Sequence, residues 1–86
     1  MNQGEVAGSL ETFLRESFAI SPTDPNFGRE VDLFDGGYVD SVGLAETLAF
    51  VEEEFGVSMP DDELLSDDFA TIDGMARAVV RLLGGS

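Results

Sequence analysis

Apolar residues in this chain recur every three or four positions, and no strand-length run alternates apolar with polar. That spacing lines side chains along one face of a helix, whereas a half-buried strand needs a period of two. Three stretches carry the pattern. In the first, Val6, Leu10, Phe13, Leu14 and Phe18 share a stripe, with Glu5, Glu11, Arg15 and Glu16 elsewhere on the wheel. This helix is expected to end near Ala19, because Pro22 disfavours helical geometry at Ser21. In the second, Leu44, Leu48, Val51 and Phe55 form a core stripe. Asp40 or Ser41 can cap it, and Gly56 offers a left-handed stop. In the last, Thr71 caps, Asp73 sits where the helix dipole favours it, and Ile72, Met75, Val79 and Leu82 or Leu83 make the stripe. Pro60 suits the start of a further short helical piece in DDELLSDDF, with Leu64, Leu65 and Phe69 turned inward. The expected fold is all-α, a small bundle of three to four helices.

A long loop must join the first helix to the second. It runs from about Ile20 to Asp40 and holds Pro22, Pro25, Gly28, Gly36 and Gly37. Loops of this length are uncommon in small domains and are often functional. Phe27, Val31, Leu33 and Phe34 should pin it, and Val31 to Phe34 can form a short helical turn. Phe50 is large for a helix face outside the stripe, and is expected to pack under the loop or against the last helix.

Composition narrows the function. The 86 residues include 18 acids and four arginines, and no lysine, histidine or cysteine, for a net charge of −14. The length fits one domain, with an ordered part of about residues 5–83 and a frayed GGS tail. Without cysteine or histidine there is no disulfide, no thiolate nucleophile, no zinc site of the usual ligands and no histidine-based catalytic dyad. The acidity disfavours nucleic acid and anionic membranes, which would repel it. The opening residues MNQGEVAGSL lack the basic start and apolar stretch of a signal peptide. The longest uncharged run, Ser17 to Thr23, is far short of the roughly 20 residues that span a membrane. A cytoplasmic protein is expected. Fourteen of the acids lie between residues 30 and 73, with no base among them. Such a surface either keeps the protein solvated or docks basic partners.

The stretch LFDGGYVDSVGLAETLAFVEEEF, residues 33 to 55, is the most informative. It sets a serine, Ser41, at a helix start after an aspartate and a glycine-containing loop. An Asp-Ser pair there can be simply a cap. A helix N-terminus also has unpaired N–H groups and a partial positive charge, so a phosphate on the serine oxygen would be stabilised. The chain lacks the usual bases, so chemistry on Ser41 would be carried out by another enzyme.

These residues resemble the acyl carrier protein family, with its related peptidyl carrier domains. The resemblance rests on Asp40-Ser41-Val42 and on Phe34-Asp35 and Gly37 ahead of it. It continues through Glu52-Glu53-Glu54-Phe55-Gly56, Pro60-Asp61 and Thr71-Ile72, and spans about residues 5 to 83. It implies a non-catalytic carrier with a covalent 4'-phosphopantetheine arm on Ser41, attached from coenzyme A by a phosphopantetheinyl transferase. The arm would carry an acyl or aminoacyl group as a thioester. Asp40 would be the acid that transferases contact. Glu46, Glu52 and Glu53 match positions that meet basic patches on partners, and Val42, Ala45 and Ala49 match the apolar contacts of that face. The implied partners are the transferase, a loading ligase, and downstream synthases or transferases, all meeting a monomer. Charge on such a face speeds encounter without tight binding.

Two departures stand out. Valine follows Ser41 where the family has leucine. Gly43 lies inside the helix, where glycine costs about 1 kcal/mol relative to alanine. It is either room for a partner or for the arm, or a tolerated defect. The Ser-x-Gly pattern resembles stand-alone carriers of aminoacyl groups or unusual extender units. Polyketide or hybrid natural-product biosynthesis is the expected setting, with an aminoacyl or peptidyl carrier of nonribosomal peptide metabolism as the alternative. From other classes come an adaptor bundle and a calcium module using Asp32, Asp35 and Asp40. Counting Asp32 as the first calcium ligand puts Phe34 third and Gly43 twelfth, where the helix-loop-helix site needs acids.

Overall fold

The computed structural model describes residues 2–60, 62 and 67–84. Helix α1 spans Gln3–Ser17, α2 Ser41–Phe55 and α3 Ile72–Leu82, with a 3-10 turn at Asp67–Ala70 before α3. There is no strand among the described residues, so the chain is the all-α bundle its spacing implies. Leu64 and Leu65 of the short piece after Pro60 lie outside the described residues.

Each helix opens on a side-chain cap. The Asn2 side chain accepts the Glu5 N–H, and the Glu5 carboxylate accepts the Asn2 N–H in return. The Asp40 carboxylate accepts the Gly43 N–H at 2.8 Å, and the Thr71 hydroxyl accepts that of Gly74 at 3.0 Å. Caps of this kind contribute about 1 kcal/mol each. The ends are equally specific. Gly56 takes the left-handed conformation that stops α2. α1 stops at Ser17, two residues before the expected end and well before Pro22. There the Ile20 N–H reaches back to the Arg15 carbonyl at 3.1 Å, and Ala19 between them has φ +53°. This closure ordinarily uses glycine.

α3 is the central strut, with Ile72, Gly74, Met75, Ala76, Ala78 and Val79 buried. It packs chiefly on α1 and the 3-10 turn, while α2 leans more lightly on α1. From α1 come Val6, Ala7, Leu10 and Leu14, and Phe69 fills the space beneath the 3-10 turn. Burying each large apolar side chain is worth about 1.5–3 kcal/mol. Leu82 and Leu83 do not join the core. They are 38% and 41% exposed, because the last turn of α3 runs past its packed stretch. Phe50, expected under the loop or against the last helix, stacks on Phe13 of α1 at 4.2 Å.

The long loop is tied down by Ile20, Phe27, Leu33 and Val39, all buried, while Val31 is half-buried. Phe34, expected among the pins, is 38% exposed. It sits on the turn at 33–37, whose start Asp32 caps by accepting the N–H groups of Phe34 and Asp35. That turn carries the ring outward. Two backbone bonds clip the loop to the entry of α3: Leu33 N–H to the Ala70 carbonyl at 2.8 Å, and Asp73 N–H to the Arg29 carbonyl at 3.0 Å. Arg15 holds its start. The guanidinium donates to the Ser21 carbonyl, lies 4.7 Å above the Phe27 ring and faces Glu11.

Replacing Ala19 with glycine should stabilise the fold by about 1 kcal/mol, since glycine adopts positive φ without a Cβ clash. Ala19→Val should destabilise it. Urea unfolding of the two variants checks the sign of each.

Candidate functional site

Ser41 is the first residue of α2 and is exposed. Its position is fixed from beneath. Gly43 is buried, and a Cβ there would lie 3.1 and 3.2 Å from the Phe18 ring and 3.2 Å from Val39. The first turn of α2 therefore rests directly on the end of α1. This close approach explains the glycine, which is neither a space left open nor a mere defect. One turn on, the Thr47 hydroxyl is buried and donates to the Gly43 carbonyl at 2.8 Å.

These contacts correct the expected core face of α2. Gly43, Thr47, Val51 and Phe55 are buried, whereas Leu44 and Leu48 are only half-buried. At 100° per residue, the buried line is rotated by about 50° from the one drawn through the leucines. The rotation leaves Val42, Ala45, Glu46, Ala49 and Glu53 exposed, within an arc of about 100°. Val42 is 67% exposed. Glu52 departs from the group: it is half-buried, and its carboxylate accepts the Met59 N–H at 2.9 Å, closing the segment after α2.

The electrostatics at Ser41 fit a covalently attached phosphodiester. The N–H groups of Ser41 and Val42 have no acceptor among the described residues. α2 has no acid in its first turn, and the flanking Asp40 carboxylate is directed to the Gly43 N–H. An anion at such a terminus gains about 0.3–1 kcal/mol from the helix dipole. Asp32 and Asp40, two of the three loop acids considered for calcium, thus both accept backbone N–H groups. Among the described residues no group of three or more acids is gathered to hold a metal.

The loop ahead of the serine has a lock that sequence reading missed. The Tyr38 hydroxyl donates to the Asp24 carboxylate at 3.0 Å, and its ring meets Phe27 edge-on. The partners are 14 residues apart, too far for any local motif. The one sequence signal is that the chain's single tyrosine stands three residues before Ser41. Desolvation by the surrounding protein raises the Tyr38 phenol above its ordinary value, and the hydrogen bond and charge of Asp24 push it the same way.

A family model described as "phosphopantetheine attachment site" matches residues 10–79. The chain is 35% identical over 73 residues to a D-alanyl carrier protein of Streptococcus suis, covering 85% of this chain and 92% of that one. It is also 35% identical over 51 residues to D-alanyl carrier proteins of two Streptococcus pyogenes strains, covering 59% of this chain and 65% of theirs. No helix among the described residues is long and apolar enough to cross a membrane.

Two outcomes follow from this geometry. Gly43→Ala should destabilise the fold by about 1 kcal/mol, because overpacking at Phe18 and Val39 outweighs the gain in helix propensity. Adding Phe18→Leu should recover part of the loss, which a double-mutant unfolding cycle reads directly. The fold also prefers the neutral Tyr38 phenol. Its contribution is therefore complete below the unfolded value of about 10 and is lost as pH rises through the higher native one. Phenolate absorbance should titrate above that value, and Asp24→Asn should move the midpoint down.

Proposed function

The chain belongs to the carrier protein family built around a phosphopantetheine attachment site, and from that premise we propose that Ser41 is its attachment residue and that the cargo is aminoacyl. Carriers of this family bear 4'-phosphopantetheine covalently. When bound, the group supplies a flexible thiol that holds the cargo as a thioester. The observation that carries the assignment is an exposed serine at the first position of α2, its neighbouring N–H groups open and its turn seated on α1.

The roles of the residues follow from that placement. Asp40 holds the first turn closed by accepting the Gly43 N–H, which keeps the Ser41 oxygen at the surface. That oxygen attacks the pyrophosphate phosphorus of coenzyme A that bears the pantetheine, and the P–O–P bond breaks as adenosine 3',5'-bisphosphate leaves. The hydroxyl proton passes to a base on the transferase, since the chain has no histidine, cysteine or lysine to receive it. The open N–H groups of Ser41 and Val42 then face the new phosphodiester. Val42, Ala45 and Ala49 give the transferase and the loading and downstream enzymes an apolar patch. Glu46 and Glu53 beside it attract basic patches, while Glu52 supports that face by holding Met59.

The relatives' names favour an aminoacyl cargo over the polyketide setting drawn from sequence. Gly43 has a packing role and gives no separate support to either. On this reading an aminoacyl ligase loads the carrier in the cytoplasm, and the carrier itself catalyses nothing.

Incubation with coenzyme A and a broad-specificity transferase should add one phosphopantetheine by intact mass, and none to Ser41→Ala. Absence of the gain in wild type, or its persistence in Ser41→Ala, overturns the assignment. The holo form should accept an amino acid from an aminoacyl ligase and not malonyl from a malonyl transferase; the reverse overturns the cargo. Glu46→Lys with Glu53→Lys should slow modification about tenfold at low salt and much less at high salt. Salt-independent rates count against the docking face.

A further inference from the structure

A second surface lies outside everything assigned so far. Between α1 and the second half of α2 is an open groove of about 590 Å3. Its floor is aromatic: Phe13 and Phe50 stack at 4.2 Å and 16°, and both are only half-buried, so their edges face an occupant. Its rim is acidic, formed by Glu5, Glu16 and Glu54. The Glu5 carboxylate is held in the cap of α1. Glu16 and Glu54 are exposed and have no ion-pair partner among the described residues. Arg15 and Arg29 both turn to Glu11 instead.

An aromatic floor with unpaired carboxylates above it is complementary to one kind of occupant. That occupant brings an apolar or aromatic anchor for the Phe13–Phe50 stack and positive side chains for the rim. An arginine or lysine could also lie over either ring. Nucleic acid and anionic lipid are repelled by the rim, and a neutral peptide leaves it unused. We propose that this groove docks a basic amphipathic segment of a partner protein, with an apolar anchor on the two phenylalanines and lysine or arginine at Glu16 and Glu54.

The groove is separate from the face around Ser41. Phe50 lies about 13 Å along the axis from Ser41, and Phe50 and Glu54 lie roughly 40° and 80° around the helix beyond Glu46, the near edge of the arc. A partner seated in the groove therefore leaves Ser41 and the Val42, Ala45 and Ala49 patch open, and borders the arc at Glu46. A carrier could be retained by one protein while it is served by another. The inference does not depend on Ser41 being the attachment residue.

The test is an amide-resonance titration of the full chain with a synthetic helical peptide bearing lysines around one tryptophan. A control peptide has the tryptophan replaced by alanine. Saturable shifts are expected at Ser9, Thr12, Phe13, Phe50 and Glu54. Binding should weaken about tenfold in Glu16→Lys with Glu54→Lys, and similarly with the control peptide. The charge variant should still be modified by the transferase at the wild-type rate. The proposal is overturned by shifts confined to the Val42–Glu53 arc, by equal affinity in the charge variant, or by equal affinity for the control peptide. Equal affinity of either kind would mean general attraction to an acidic protein.

Discussion

The contact between Gly43 and the end of α1 is the constraint from which the rest of the site follows. A residue without a Cβ lets the first turn of α2 settle onto the Phe18 ring and Val39, which an added Cβ would push back by a few tenths of an ångström. Elsewhere α2 leans on α1 lightly, so this seat does much to fix the height and rotation of the helix. The rotation in turn decides which side chains face out. With Gly43 and Thr47 inward, the residues next to Ser41 that remain exposed are small, apolar or acidic. The long loop then needs only to deliver the chain to this seat, which its clips to Ala70 and Asp73 and its internal Tyr38–Asp24 bond accomplish.

The charge distribution takes on structure once the fold is known. Arg15 and Arg29 both face Glu11, and Arg15 braces the loop, so their positive charge is used internally beside α1. The acids of α2 divide among three tasks. Glu46 and Glu53 stand on the arc beside the serine, Glu52 ties down Met59, and Glu54 overlooks the aromatic groove. A uniform acidic coat would need none of this separation. Exposed carboxylates on two distinct faces suit transient encounters that are fast and easily reversed.

Much of this was legible in the sequence wherever the physics is local. Asp40, Thr71 and Gly56 announce helix ends because a cap needs only neighbouring residues. The serine motif and its register were equally readable. The rotation of α2 was not, because a hydrophobic stripe weighs Leu44 and Leu48 heavily and gives glycine no weight. Thr47 was hidden for a related reason: a polar residue can be buried when its own helix supplies the acceptor, here the Gly43 carbonyl. Phe50, Phe34, Leu82 and Leu83 show a further limit. A helical wheel gives the side of the helix but not what lies opposite it or where the neighbouring element stops. Tyr38 and Asp24 meet across a loop whose path no periodicity describes.

A seat that is already formed should accept its phosphodiester without remodelling the bundle. Comparing amide resonances of the unmodified protein and the phosphopantetheinylated one tests this most directly. The expected result is downfield movement of the Ser41 and Val42 amide protons, as their open N–H groups meet the phosphate, with Leu10, Leu14, Met75 and Val79 unmoved. Shifts spread through those core residues, or none at Ser41 and Val42, would contradict it.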